Sequence, residues 1–184
     1  MSNHLSHSLS EEPIRIEQVE FSDYGDVIGK LRAEVWLGKG KLDPAKVQDG
    51  KWLDGFDGDA FHWVAFRGTE VVASSRLHIV DSIENLPFPA VWEALGEEMA
   101  PPIAQIMRLV VASSVRGLGI GRRMDEVRIQ KARALGVKTL LADADPERQS
   151  ALLKQGFDLL TTLPAGTGST GLLNGSSILV LKLN

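Results

Sequence analysis

Arg116-Gly117-Leu118-Gly119-Ile120-Gly121 is the stretch that most limits what this chain can become. It follows the apolar run Ile106-Met107-Arg108-Leu109-Val110-Val111 and precedes a segment with helical periodicity from Ile120 onward. A strand, a glycine-rich turn and a helix start form a cradle for an anion. Glycine lets the backbone adopt φ > 0 and approach a ligand closely. The first helical turn offers unpaired N–H groups at the positive end of the dipole. Arg116, Arg122 and Arg123 add charge at the same point. Spacing excludes two nucleotide loops. A dinucleotide fingerprint G-x-G-x-x-G that starts at Gly117 meets Arg122 where its third glycine belongs, and so does the second glycine of a P-loop. The pattern left is R-x-x-G-x-G, from Arg116, Gly119 and Gly121. Gly166-Thr167-Gly168-Ser169-Thr170-Gly171 does spell G-x-G-x-x-G, but Asn174-Gly175 follows too soon for a helix. It reads as a loop between two final strands.

The chain has 184 residues, enough for one domain with a sizeable core, and its hydrophobic fraction of 43% is that of a globular protein. There is no cysteine, which excludes disulfides, thiolate metal sites and a cysteine acyl-enzyme. That fits a reducing, cytoplasmic setting. The net charge of −4 speaks against a nucleic-acid binder. No apolar run approaches the ~18 residues of a membrane span. Met1 to Glu12 lacks the apolar stretch of a secretory signal, and His4 and His7 lie among serines. Residues 1–12 are expected to be a disordered tail, and 13–184 one domain.

Periodicity gives the element order. Ile14, Ile16 and Val19 alternate as a first strand. Ser22 is a cap candidate for a helix with Tyr24, Val27, Ile28, Leu31 and Val35 on one face. Leu37 to Ala60 reads as a long, partly helical loop. Phe61–Phe66 and Val71–Ile79 make a hairpin around Gly68-Thr69-Glu70. Asp81–Pro102 is a second long connection with a short helix near Val91, Trp92 and Leu95. Gln105–Val111 is a strand, and Ile120 to Leu135 is a helix stopped by Gly136. Thr139–Ala142 is a short strand. Asp145-Pro146 opens a helix ending at Gly156, and Phe157–Leu163 and Ile178–Leu183 close the chain. Hairpins combined with β-α-β units predict an α/β fold with a mixed sheet and helices on both faces.

R-x-x-G-x-G resembles the acyl-coenzyme A loop of the GNAT family of N-acetyltransferases. Leu109-Val110-Val111 is similar to that family's fourth strand, and Ala151-Leu152-Leu153-Lys154-Gln155-Gly156-Phe157 to its later helix with a closing Gly-Phe pair. The resemblance spans Arg15 to Leu183 and is densest from Gln105 to Phe157. It implies a GNAT-like fold in which two central parallel strands splay apart to admit the cofactor's pantetheine arm. It also implies acetyl-CoA as acyl donor, no metal, and acetyl transfer to a primary amine of a small molecule or peptide. With no cysteine to carry the acyl group, direct attack in a ternary complex is expected. The expected protein is a monomer or homodimer without nucleic-acid or membrane partners. The cofactor-binding residues implied are Leu109, Val110, Val111, Arg116, Gly117, Leu118, Gly119, Ile120, Gly121 and Arg122.

Such a reaction needs a donor where negative charge develops on the carbonyl oxygen. The resemblance implies a backbone N–H near Val110, freed by a bulge. Glu34 and His78 are the leading candidates for the base, with His62 beside them. Each has a structural alternative: a solvated helix charge for Glu34, a strand edge for His62, and an outward polar face for Arg76 and His78, which share one side of their strand. Gln105 and Met107 occupy a region where many members carry a glutamate. Leu152 stands where many carry a tyrosine acid, and the single tyrosine is Tyr24. A thiol of pKa roughly 8–9 leaves with water or a serine such as Ser113. Trp36, Trp52, Phe56 and Trp92 are either pocket walls or core.

A fainter resemblance joins three separate segments to acyl-homoserine-lactone synthases, which share the general fold and use acyl-carrier proteins. The segments are Leu31-Arg32-Ala33-Glu34-Val35-Trp36, Asp54-Gly55-Phe56-Asp57 and Ser75-Arg76-Leu77. Arg122, Arg123, Arg128, Lys131 and Arg133 on the helix from Ile120 would face an acidic carrier. A non-catalytic acyl-coenzyme A-binding module is the remaining alternative.

Overall fold

The computed structural model describes residues 12–163 and 175–184. The expected tail, apart from Glu12, and the Gly166–Gly171 run lie outside the described residues. Among the described residues, seven strands form a single mixed sheet: β1 (Ile14–Val19), β2 (Phe61–Arg67), β3 (Glu70–Val80), β4 (Ile103–Val111), β5 (Thr139–Ala144), β6 (Asp158–Thr162) and β7 (Ser177–Lys182). Their spatial order is β1-β2-β3-β4-β5-β7-β6. The α-helices among the described residues are α1 (Phe21–Gly38), α2 (Pro89–Ala94), α3 (Ile120–Ala134) and α4 (Pro146–Leu153). Neighbouring strands run antiparallel except β4 and β5, whose parallel pairing needs a crossover that α3 supplies.

Helices α3 and α4 are readable from local chemistry. In α3, Ile120, Met124, Ile129 and Ala132 recur at helical spacing and are buried, and Gly136 ends the helix at φ +72. In α4, the Asp145 carboxylate accepts the Arg148 N–H at 3.1 Å and Pro146 occupies the first turn. Ser22 does not cap α1. The helix starts two residues earlier than that cap would place it, at Phe21, with Glu20 in the cap position and no side-chain cap.

The main apolar core lies between one face of the sheet and the α3/α4 layer, with Leu77, Ala104, Ile106, Leu140 and Leu179 against Ile120, Met124 and Leu152. Val64, Phe66 and Val110 face α1 on the opposite side, through Ile28, Leu31 and Val35. Leu141, Ile178 and Val180 pack around Trp92 of α2. Both faces are therefore covered.

Candidate functional site

Pairing between β4 and β5 runs only from Ile103↔Thr139 to Ile106↔Ala142. Both strands continue past that point, β4 to Val111 and β5 to Ala144, without pairing to each other. They form a fork. At its root β4 bulges: Arg76↔Met107 and Ser74↔Val110 are partners, so Arg108 and Leu109 together face Ser75. Arg108 has φ +55, an uncommon value for a side-chain-bearing residue. A cavity of about 550 Å³ fills the fork, a volume ordinary for a ligand site. Met107, Arg108 and Leu109 wall it on one side, and Ala142, Asp143 and Ala144 on the other. Lys39 to Asp43, from the loop after α1, and Phe88 roof it.

A second cavity of about 220 Å³ continues along Leu109, Val110 and Val111 to Arg116 and Gly121. It ends at the start of α3. There Gly119 holds φ +71 at the cap position, which glycine takes without the penalty a side chain meets. No side chain caps this helix end. Its first-turn N–H groups have no intrahelical acceptors. Those groups, the open edge of β4 and the cavity size fit a long thioester whose far end carries phosphate.

Two buried ion networks hold the fork in shape. The first lies on the α1 face. Arg32 Nη1 donates to Asp57 Oδ1 at 2.8 Å, and Arg76 Nη1 to the same oxygen at 2.7 Å and to Asp54 Oδ1 at 2.5 Å. Arg108 Nη2 donates to Asp54 Oδ2 at 2.6 Å, and its guanidinium lies 3.9 Å from the Trp52 ring centre. Three guanidinium groups meet two carboxylates, so the cluster keeps one positive charge in excess. Burial raises the Asp54 and Asp57 carboxyls, but the arginines outweigh it and hold both below the usual carboxylate range. Burial pulls Arg32 down to about 10, still cationic at neutral pH.

The second network is on the α3 face. Arg128 Nη1 donates to the carbonyls of Arg76 and Met107, both at 3.1 Å, and its Nη2 bonds Asp125. Arg148 Nη2 donates to Asp125 Oδ1 at 2.9 Å, and Arg148 lines both cavities.

The sequence-derived candidates are distributed unevenly around this site. Leu109, Val110, Val111, Arg116 and Gly121 line the cavities. Gly117, Leu118, Gly119, Ile120 and Arg122 do not; Leu118 is exposed, Ile120 is in the core, and Arg122 pairs with Glu126 at the surface. Glu34 is exposed on α1 and lines neither cavity. His78 is buried, with its ring edge-on to Phe56 at 5.4 Å, and also lines neither. Burial and the Arg76 charge push His78 down, so it is neutral at pH 7. His62 is stacked on Phe21 and donates Nε2–H to the Asp57 carbonyl. Arg76 and His78 are not an outward polar face: both are buried under α1 and the loop that follows it. Arg128 likewise is not part of a basic surface on α3, being only 1% exposed. Trp36 lines both cavities, Trp52 supports Arg108, and Trp92 is core.

Sequence reasoning missed Arg108, Asp143 and Arg148 as cavity residues. Arg108 was hidden inside an apolar run. Asp143 lay just past the point where the strand was expected to end. The available signal was the alternation Leu141-Ala142-Asp143-Ala144, which continues a strand with Asp143 on one side.

Among the described residues no group of three or more His, Asp or Glu side chains is placed to hold a metal ion, and no helix is long and apolar enough to cross a membrane. No curated relative matches the chain. FeeM, an N-acyl amino acid synthase from uncultured soil microbes, has a similar structure, with TM-score 0.71 and 11% identity over 94% of this chain and 92% of its own. The acyl-homoserine-lactone (AHL) synthase LasI gives TM-score 0.67 and 16% identity over 94% and 91%. Agmatine N-acetyltransferase gives 0.64 and 17% over 93% and 100%. At these identities the likeness is one of fold. The acetyltransferase (GNAT) family model matches residues 27–157, which contain the fork, the bulge and the loop before α3, and the chain belongs to that family.

Proposed function

We propose that the protein is an N-acetyltransferase that moves the acetyl group of acetyl-CoA to a primary amine in a ternary complex. The observation that carries this reading is the β4/β5 fork, which joins a cavity of about 550 Å³ to the uncapped start of α3. The loop Arg116 to Gly121 and Arg122 hold the phosphates. Arg148 lines the passage between the two ends. The donor supplies an activated acetyl group; the chain's own groups place it and polarise it.

The polarising N–H belongs at the bulge. Ala112 N–H donates to the Val72 carbonyl at 2.8 Å. Ladder alternation then turns the Val110 N–H toward β3 as well, and leaves Leu109 and Val111 facing the open side. This supports Leu109 as the oxyanion donor and Val111 as a partner for the pantetheine arm, with Val110 packing against α1.

Acetyl-CoA at a hundredfold excess over its dissociation constant should add ~2.7 kcal/mol of stability. Thermal scanning would read this as a rise of roughly 5–10 °C. A panel of amines screened for thiol release, with intersecting double-reciprocal plots, identifies the acceptor and the ternary mechanism. No melting shift at saturating acetyl-CoA would refute the reading. A shift without release for any amine would favour a binding module.

Tyr24 is half-buried on α1, edge-on to Phe66 at 6.0 Å, and lines neither cavity. Tyr24→Phe and Glu34→Gln should each leave turnover within about threefold of the parent, a barrier change under ~1 kcal/mol. Steady-state kinetics on the acceptor found by the panel checks this.

One observation favours a second reading. Arg32, Asp54, Asp57 and Arg76, from the three segments similar to acyl-homoserine-lactone synthases, meet in one buried cluster. A donor presented on an acyl-carrier protein is the alternative it supports. Turnover with acyl-carrier thioesters but not coenzyme A thioesters would select it.

A further inference from the structure

We propose that Asp143, on the β5 side of the fork, is the catalytic group that takes the proton from the acceptor amine. The proposal rests on the acyl-transfer reading above and adds the proton acceptor that reading lacks.

Asp143 is the first β5 residue past the last paired position, Ala142. It lines the cavity opposite the bulge, where the carbonyl to be attacked must lie if Leu109 polarises it. Three aspartates line that cavity, and two of them are already committed. Asp43 accepts the Ala45 N–H at 2.9 Å. Asp145 caps α4 and pairs with Lys41 at 2.9 Å. Asp143 has a neutral side-chain partner instead: Gln105 Nε2 donates to its Oδ1 at 3.2 Å.

A neutral partner suits a carboxyl that must gain and lose a proton. A lysine or arginine in contact would lock it ionised. The Gln105 amide serves both states, because it has a donor and an acceptor end. Its Oε1 is buried without a hydrogen-bond partner. After a flip about its last torsion, that oxygen accepts the O–H of protonated Asp143. The charged groups around Asp143 are Arg108 from β4 and Arg148 from α4, with the Lys41–Asp145 pair across the cavity roof. Arg108 and Arg148 are engaged by Asp54 and Asp125. Burial raises the Asp143 carboxyl and these cations offset it only in part. An aspartate at its ordinary pKa of about 3.9 is a poor base for an ammonium group, and a raised one is a better match near neutrality.

The step balances. The amine nitrogen forms a bond to the thioester carbonyl carbon and gives a proton to Asp143. The carbon–sulfur bond breaks, and the departing thiolate recovers that proton from Asp143. The products are an amide and a free thiol, with Asp143 again ionised.

The test uses the full chain, acetyl-CoA and the amine found by the panel screen. Asp143→Asn keeps the shape and the oxygen that Gln105 contacts. It should lower kcat by ~10²–10⁴-fold and keep the acetyl-CoA melting shift. The part of the acid limb of the parent's kcat/KM profile that Asp143 contributes should vanish in this variant, leaving only the ionisation of the acceptor amine. Asp143→Glu, which restores a carboxyl one methylene further out, should recover at least about tenfold over Asn. Asp143→Asn turning over within about threefold of the parent with an unchanged pH profile overturns the proposal. So does a Glu variant no better than Asn. If the parent itself neither shifts nor releases thiol, the acyl-transfer reading has failed, which is a different result.

Discussion

Asp57→Ala should lower stability by about 3–5 kcal/mol, the usual cost of removing one partner from a buried ion pair. It leaves Arg32 and Arg76 buried without the Asp57 carboxylate they share. For a domain of this size the midpoint falls by roughly 6–20 °C, from ~2–4 °C per kcal/mol. The contrast is Arg15–Glu17, an ion pair with both side chains largely in solvent. Glu17→Ala should cost under about 1 kcal/mol, because water already screens that pair. Thermal scanning of both variants decides whether burial or mere pairing sets the cost. The cluster also fixes the response to acid. Asp54 and Asp57 have folded-state pKa values below their unfolded ones. Their contribution is therefore fully present above the unfolded carboxylate value of about 4. It is lost as pH falls from there through the depressed folded values. Acid unfolding should begin below about pH 4 and be milder in Asp57→Ala, which has one such carboxylate fewer.

Gly119→Asp should abolish the acetyl-CoA melting shift. An added Cβ at Gly119 meets nothing within 4 Å, so the fold itself has room for it. The penalty inside the free protein is the left-handed backbone, ~1–2 kcal/mol for most residues and less for Asp or Asn. The proposed donor faces a larger one: a carboxylate placed at the positive helix end assigned above to its phosphates. Losing the whole ~2.7 kcal/mol gained at hundredfold excess requires affinity to drop at least about a hundredfold. Gly119→Asn separates charge from shape. It carries the same backbone strain without the negative charge and should keep most of the shift. Equal loss in Asn and Asp would mean that backbone geometry, not phosphate charge, governs this loop.

The loop before α3 was legible because its meaning is local: glycine spacing and flanking arginines specify a turn at a helix start whatever surrounds it. Strands β2, β3 and β7 were legible from apolar runs bounded by turn residues. The ion cluster was not. Arg32 falls on α1 among Leu31, Ala33 and Val35, and only the fold shows that α1 is buried there on more than one side. Asp54 and Asp57 look like loop charges until β3 brings Arg76 beneath them. The bulge was expected from family resemblance, but its position at Arg108 and Leu109 depends on register with β3. Asp143 is the clearest case. The apolar run ends at Ala142, and the expected strand ended with it; antiparallel pairing with Ile178 and Ser177 on β7 carries the strand on to Ala144.

Arg128 gives α3 the part of a gauge block. The start of this helix lies at one end of the second cavity, and Arg128 grips the carbonyls of Arg76 and Met107 at the bulge. Eight residues separate Ile120 from Arg128, about 12 Å along a helix axis. The spacing between the two ends of the cavity path is thus set by a rigid rod instead of being left to a loop. For the acyl donor proposed above, the distance from the bulge to the start of α3 is then fixed by the fold before the donor arrives.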